Sequence, residues 1–72
     1  MKVRVVTKVD QLLVAKNMTQ IKLAELTELR PSTISEIVRG TRSVINKDHI
    51  AKIAEVLGIE DISEIIELQI TE

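Results

Sequence analysis

The chain has no Cys, no Phe, no Tyr and no Trp, and holds one Pro, two Gly and one His among 72 residues. Without Cys there is neither a disulfide framework nor a thiolate metal site. A single histidine, His49, cannot build a metal centre without several carboxylates around it, so no metal or cofactor is expected. The missing aromatics argue against single-strand binders that stack bases on ring platforms. They also leave the core to aliphatic side chains. No apolar run approaches the ~20 residues of a membrane span. The opening MKVRVVTKV is too short and too interrupted by charge for a secretory signal. No Ser–His–Asp or comparable arrangement is present, so catalytic residues are expected to be none. These exclusions lead to the expectation of a soluble cytoplasmic domain that is not an enzyme, one unit over residues 1–72.

What is present is aliphatic and charged. Hydrophobic residues make up 44% of the chain, and the net charge is −1. That average conceals a polarity. Residues 1–47 hold nine Lys or Arg against four acids, a net of +5, whereas residues 48–72 hold one Lys against seven acids, a net of −6. A basic front and an acidic back suit a domain that turns one side toward phosphates, although surface charge also serves solubility alone.

The apolar pattern changes period along the chain. Met1 to Val6 alternates, with Lys2 and Arg4 on one face and Val3 and Val5 on the other, and Ile66 to Thr71 alternates in the same way. Both read as short strands, and their pairing as an antiparallel ribbon would set Lys and Arg opposite Glu and Gln. Such a ribbon is marginal alone and must lie on the helices or join a partner.

Between the strands the period is helical. Val9, Leu12 and Leu13 mark a first helix stopped by Asn17. Thr19 is an N-cap for a second, with Leu23, Ala24 and Leu26 turned inward, and Met18 fills a gap before it. Leu29 closes a tight turn. Pro31 suits the first position of a third helix, with Ile34, Ile37 and Val38 inward and Gly40 at its end. After a loop from Thr41 to Ile45, Asn46 caps a fourth helix carrying Ile50, Ile53, Ala54 and Leu57, which Gly58 terminates. Asp48 and His49 fall in its first turn. Asp61 or Ser63 opens a short fifth helix with Ile62, Ile65 and Ile66. The fold class expected is all-α, five helices with short terminal strands.

The segment 19–40, TQIKLAELTELRPSTISEIVRG, is two short helices about a tight turn, the layout that lets one helix enter a DNA major groove while the other braces it. Pro31, Ser32, Ser35, Glu36 and Arg39 fall away from the Ile34/Ile37 stripe, and the open N–H groups at the starts of the second and fourth helices can hold phosphates. Shape alone does not separate this from a helical protein-interaction domain.

The series Thr19, Gln20, Leu23, Ala24, Thr27, Leu29, Thr33, Ile34, Ser35, Ile37 and Gly40 resembles the lambda-repressor-like, XRE-type helix-turn-helix family. The similarity runs over about residues 9–66, taking in IAKIAEVLGIEDISEII. The resemblance implies a five-helix DNA-binding domain of the short stand-alone regulator group. Its expected function is that of a sequence-specific double-stranded DNA-binding transcriptional repressor inserting helix 31–39 into the major groove. It implies that Gln20 takes a phosphate, that Pro31, Ser32 and Glu36 read bases, and that Thr33 touches the backbone. Arg39, Thr41, Arg42 and Ser43 would follow the backbone beyond the reading helix. A homodimer on a palindromic operator is expected, joined through the fifth helix or the terminal strands. The alternatives are an antitoxin-type DNA-binding subunit or an interaction domain that keeps the fold.

Four positions depart from the family. Glu28 stands where Gly is usual, and a left-handed non-Gly residue costs on the order of 1 kcal/mol. Arg30 replaces a Ser or Thr cap, giving up a side-chain acceptor while adding a cation for phosphate. Leu13 and Val38 occupy places where the family often has a partly buried Arg–Glu pair. A joint replacement of that kind can be neutral or stabilising, so the two side chains are expected to touch.

Overall fold

The computed structural model describes residues 1–41 and 43–72. Strand β1 (Lys2–Thr7) leads into helices α1 (Val9–Ala15), α2 (Gln20–Thr27), α3 (Pro31–Arg39) and α4 (Lys47–Leu57), and a 3₁₀ turn (Ile62–Glu64) leads into strand β2 (Ile66–Thr71). The helices close around one aliphatic core. Leu23, Ile34, Ile53, Ile65 and Val9 are its fully buried members, joined by Leu13, Ala24, Ile50 and Leu57. Leu12, Met18, Leu29, Ile37 and Val38 pack half-buried against it.

Local chemistry sets the helix boundaries. Thr19 Oγ1 accepts the Lys22 N–H (3.0 Å) at the start of α2. Asn46 Oδ1 accepts the Asp48 and His49 N–H groups at the start of α4. At the other ends, residues in the left-handed region turn the chain: Asn17 (φ 52°), Glu28 (φ 61°), Gly40 (φ 64°) and Gly58 (φ 69°). After α3 the Gly40 N–H donates to the Ile37 carbonyl and the Thr41 N–H to the Glu36 carbonyl, the paired bonds of a Schellman ending. Met18 to Leu13 and Ile59 to Ala54 repeat the longer of those two bonds after α1 and α4.

Among the described residues there are four α-helices where five were expected. Asp61 does cap the next element, its carboxylate accepting from the Ser63 N–H and hydroxyl. Ile66, however, already belongs to β2, leaving four residues after the Asp61 cap, barely one α-helical turn. The chain therefore makes a single 3₁₀ turn there. The Ser63 bonds, aided by Lys8, hold the Asp61 carboxyl below its ordinary pKa. That small stabilisation is present above the ordinary aspartate pKa and fades as pH falls through the lowered value. Leu26 is a second correction: it is exposed, because Leu23, Ala24 and Thr27 form the buried stripe of α2 and Leu26 lies off it.

The terminal strands pair antiparallel, with Lys2 opposite Thr71, Val3 opposite Ile70, Arg4 opposite Gln69, Val5 opposite Leu68, Val6 opposite Glu67 and Thr7 opposite Ile66. Of the cross-strand polar pairs expected, Arg4 with Gln69 forms; Lys2 meets Thr71 and Glu67 meets Val6 instead. At its base the ribbon is tied to the helices. Thr7 Oγ1 donates to the Ile37 carbonyl in the last turn of α3 (2.8 Å), and the Lys8 N–H donates to the Ile65 carbonyl.

The turn between α2 and α3 rests on Thr27, the buried polar residue of the core. Its hydroxyl donates to the Leu23 carbonyl (2.7 Å) and, more weakly, to the Ala24 carbonyl (3.3 Å). The same oxygen accepts the Leu29 N–H (3.4 Å). One group thus completes α2 and fixes the first residue past the left-handed Glu28.

Three stability measurements follow from this packing. Thr27→Val keeps the shape but removes the acceptor for a half-buried N–H, so urea denaturation should show a loss of about 1–2 kcal/mol. Glu28→Gly relieves a left-handed side chain and should gain about 0.5–1 kcal/mol after the added chain entropy. Leu13 is buried and Val38 packs on the same core where α1 neighbours α3. A double-mutant cycle of Leu13→Val with Val38→Ala should therefore give a coupling of about 0.5 kcal/mol or more, and strict additivity would show that the two do not touch.

Candidate nucleic-acid interface

Helix α3 is held from behind and open in front. Ile34 is completely buried, and Ile37 and Val38 pack half-buried on the core. Helix α2 braces it, and Thr7 of β1 fixes its last turn. On the opposite side Arg30, Pro31, Ser32 and Arg39 are exposed, while Thr33, Ser35 and Glu36 are half-buried.

The N-terminus of α3 is unblocked by its own side chains. Arg30 sits at the N-cap in extended conformation and makes no side-chain cap bond, and Pro31 occupies the first helical position. Proline has no N–H there, and its fixed φ suits the helix. A Ser or Thr cap would fold back on this end; Arg30 instead leaves it clear and adds a cation that is exposed. The helix dipole contributes partial positive charge at the same end.

The helix starts expected to hold phosphate differ from one another. In α2 the Thr19 hydroxyl engages Lys22 N–H alone, no acid lies in the first turn, and Gln20 is exposed. In α4 the Asn46 side chain already engages two N–H groups, and Asp48 stands in the first turn. Negative charge at that point opposes a phosphate, so α2 rather than α4 offers the anion-compatible end.

Glu36 departs furthest from a simple outward reader. It is half-buried along a cleft of about 230 Å³ with Thr7, Thr33, Ile37, Gly40, Val44, Ile45, Asn46 and His49. Val44, Ile45 and Asn46, which follow α3 in the chain, line this cleft beside Glu36. Helical spacing places Glu36 off the core stripe but carries no information about those neighbours. His49 is likewise half-buried, a partly packed residue of the first turn of α4. Thr41 and Ser43 are exposed beyond α3; Arg42 lies outside the described residues.

The structure therefore brings Arg30, Pro31, Ser32, Thr33 and Arg39 onto one helix, with Glu36 set back along its flank. Thr7 was missed by sequence reasoning, since its partner is 30 positions away. Its only sequence signal was a hydroxyl residue at the inner end of an alternating strand. Among the described residues no cluster of His, Cys, Asp or Glu could hold a metal ion, and no helix is long and apolar enough to cross a membrane.

Neither the curated proteins nor the solved structures give a match. The family model described as Helix-turn-helix matches residues 9–65, a span from the start of α1 to the 3₁₀ turn that takes in every α-helix and the whole braced α2–α3 unit. The chain belongs to this lambda-repressor-like, XRE-type helix-turn-helix family of DNA-binding regulators.

Proposed function

We propose that the protein is a sequence-specific repressor that inserts α3 into the major groove of double-stranded DNA. The observation that carries this reading is the uncapped, exposed start of α3 on a helix whose rear is locked into the core. Ser32 and Pro31 are small enough for close approach to base edges. Arg30 and Arg39 flank the helix as phosphate ligands, and Gln20 contributes a contact at the start of α2. Thr33 adds a backbone contact, and Thr41, Arg42 and Ser43 continue it past α3. Glu36 reads at the flank, where its carboxylate would accept from a cytosine amino group.

One such helix covers a half-site, so a homodimer on a palindromic operator completes the reading, with the two reading helices ~34 Å apart. Blocking a promoter by occupying it needs nothing beyond this domain. The acidic C-terminal third of the chain, net −6 over residues 48–72, supports a second reading as an interaction domain. Salt separates the two, because displacement of counterions from DNA makes phosphate-driven binding fall steeply with ionic strength.

A duplex selected from a randomised pool, followed by fluorescence anisotropy across a salt series, tests the proposal. Arg30→Ala should weaken binding to all duplexes about equally and flatten the log–log salt slope by about 1. Glu36→Gln should shift preference at one base pair by about 1–3 kcal/mol while leaving the slope unchanged. Absence of binding to any duplex at low salt would favour the interaction-domain reading. Uniformly tighter binding by Glu36→Gln would remove its reading role.

A further inference from the structure

The cleft beside Glu36 holds chemistry that the reading of a cytosine amino group does not use. Two of its polar side chains are engaged within the fold. Thr7 donates to the Ile37 carbonyl, and the Asn46 side-chain oxygen accepts from the start of α4. Next to the Glu36 carboxylate the lining is aliphatic, made by Ile37, Val44 and Ile45. Val44 is 76% exposed and Ile45 41%, and neither belongs to the core. Two consecutive branched aliphatics therefore stand in water, in the otherwise polar stretch TRSVIN, and covering them is favourable.

Their place along α3 says what covers them. Ser32 and Glu36 are four residues apart and so lie one above the other on one helix face. Thr33 and Ile37 follow the neighbouring stripe, and both line the cleft. The cleft thus runs beside the stripe that carries the proposed base contacts. Its volume of about 230 Å³ falls below the ~300–1,000 Å³ of pockets that hold free small molecules. It suits a small group projecting from a larger partner already seated on α3.

Major-groove chemistry names that group. A carboxylate accepts hydrogen bonds and donates none, which matches the cytosine amino group and opposes the acceptor oxygen of thymine. The apolar group that a base edge presents in the major groove is the pyrimidine C5 methyl. Thymine carries it always, and cytosine only when methylated. Successive bases of a strand are ~3.4 Å apart. A methyl on the cytosine beside Glu36, or on a thymine one step away, therefore lies within a side chain's length of the carboxylate.

We infer that Ile37, Val44 and Ile45 form a pocket for a pyrimidine C5 methyl next to the Glu36 contact. Val44, the most exposed of the three, is its outer wall and a specificity-determining residue. The inference rests on the DNA reading proposed above and gives that site a second determinant. The methyl belongs either to a thymine adjoining the cytosine or to 5-methylcytosine itself. Both sources present the same group to the same pocket.

Fluorescence anisotropy of the full chain on analogues of the selected duplex tests this and separates the two sources. Deoxyuridine replaces each thymine in turn, removing one methyl and nothing else, and 5-methylcytosine replaces each cytosine in turn, adding one. A buried methyl changes affinity by about four-fold. A four-fold loss at one deoxyuridine position identifies thymine as the source, and a four-fold gain at one 5-methylcytosine position identifies the modified base. Either position should lie at, or one step from, the base pair whose preference Glu36→Gln shifts. Val44→Ala should erase the methyl effect, whereas Ile62→Ala, which trims another exposed aliphatic far along the chain, should retain it.

A second readout needs no variant. In ¹H NOE spectra of the wild-type complex, the Val44 methyl protons should give cross-peaks to that pyrimidine methyl. Affinities equal within two-fold across every analogue, a methyl effect that survives both Val44→Ala and Ile45→Ala, or the lack of those cross-peaks would overturn the inference. Failure of the DNA reading is a different result: no binding to any duplex ends both, whereas tight binding indifferent to every methyl ends the pocket alone.

Discussion

The constraint on which the rest of the structure depends is the lock between α2 and α3. Two helices of eight and nine residues are too short to be stable in isolation. They exist because Leu23 and Ile34 are completely buried in the core between them, and because the Thr27 hydroxyl serves both the last turn of α2 and the Leu29 N–H beyond it. A turn fixed at both ends fixes the angle of α3, and that angle decides which side chains face outward. The left-handed Glu28 is the strained element within this lock.

Seen from α3, the terminal strands have a structural role. Thr7 takes up a carbonyl in the final turn of α3, next to the left-handed Gly40 that ends it. The ribbon, α3 and the core therefore meet at one place. A contact that holds the ribbon also steadies the end of α3.

Much of this architecture was legible in the sequence, for a local reason. Thr19, Asn46 and Asp61 cap through bonds to residues two or three positions on. Asn17, Gly40 and Gly58 turn the chain because of their own φ preferences. The strands were legible from alternation, and the buried members of the core from helical spacing. Other features depend on distant residues or on competition between elements. The Thr7–Ile37 bond spans 30 positions, and the fifth helix failed because β2 claimed Ile66. Glu36 shares a cleft with Val44 and Ile45, a neighbourhood that no periodicity records. For the candidate site, spacing identified the outward residues of α3 and the resemblance assigned their roles. The contrast between an open α2 terminus and an engaged α4 terminus came only from hydrogen-bond geometry.

We propose that one face of the molecule, built from α3 and the start of α2, meets DNA. Amide chemical-shift mapping by ¹H–¹⁵N NMR, titrating the full chain with a selected duplex, tests it most directly. Perturbations should concentrate at Gln20, Arg30, Ser32, Thr33 and Arg39, with the second half of α4 and the charged face of the ribbon little changed. Perturbations confined to the acidic segment from Glu55 to Glu67, with α3 silent, would contradict it.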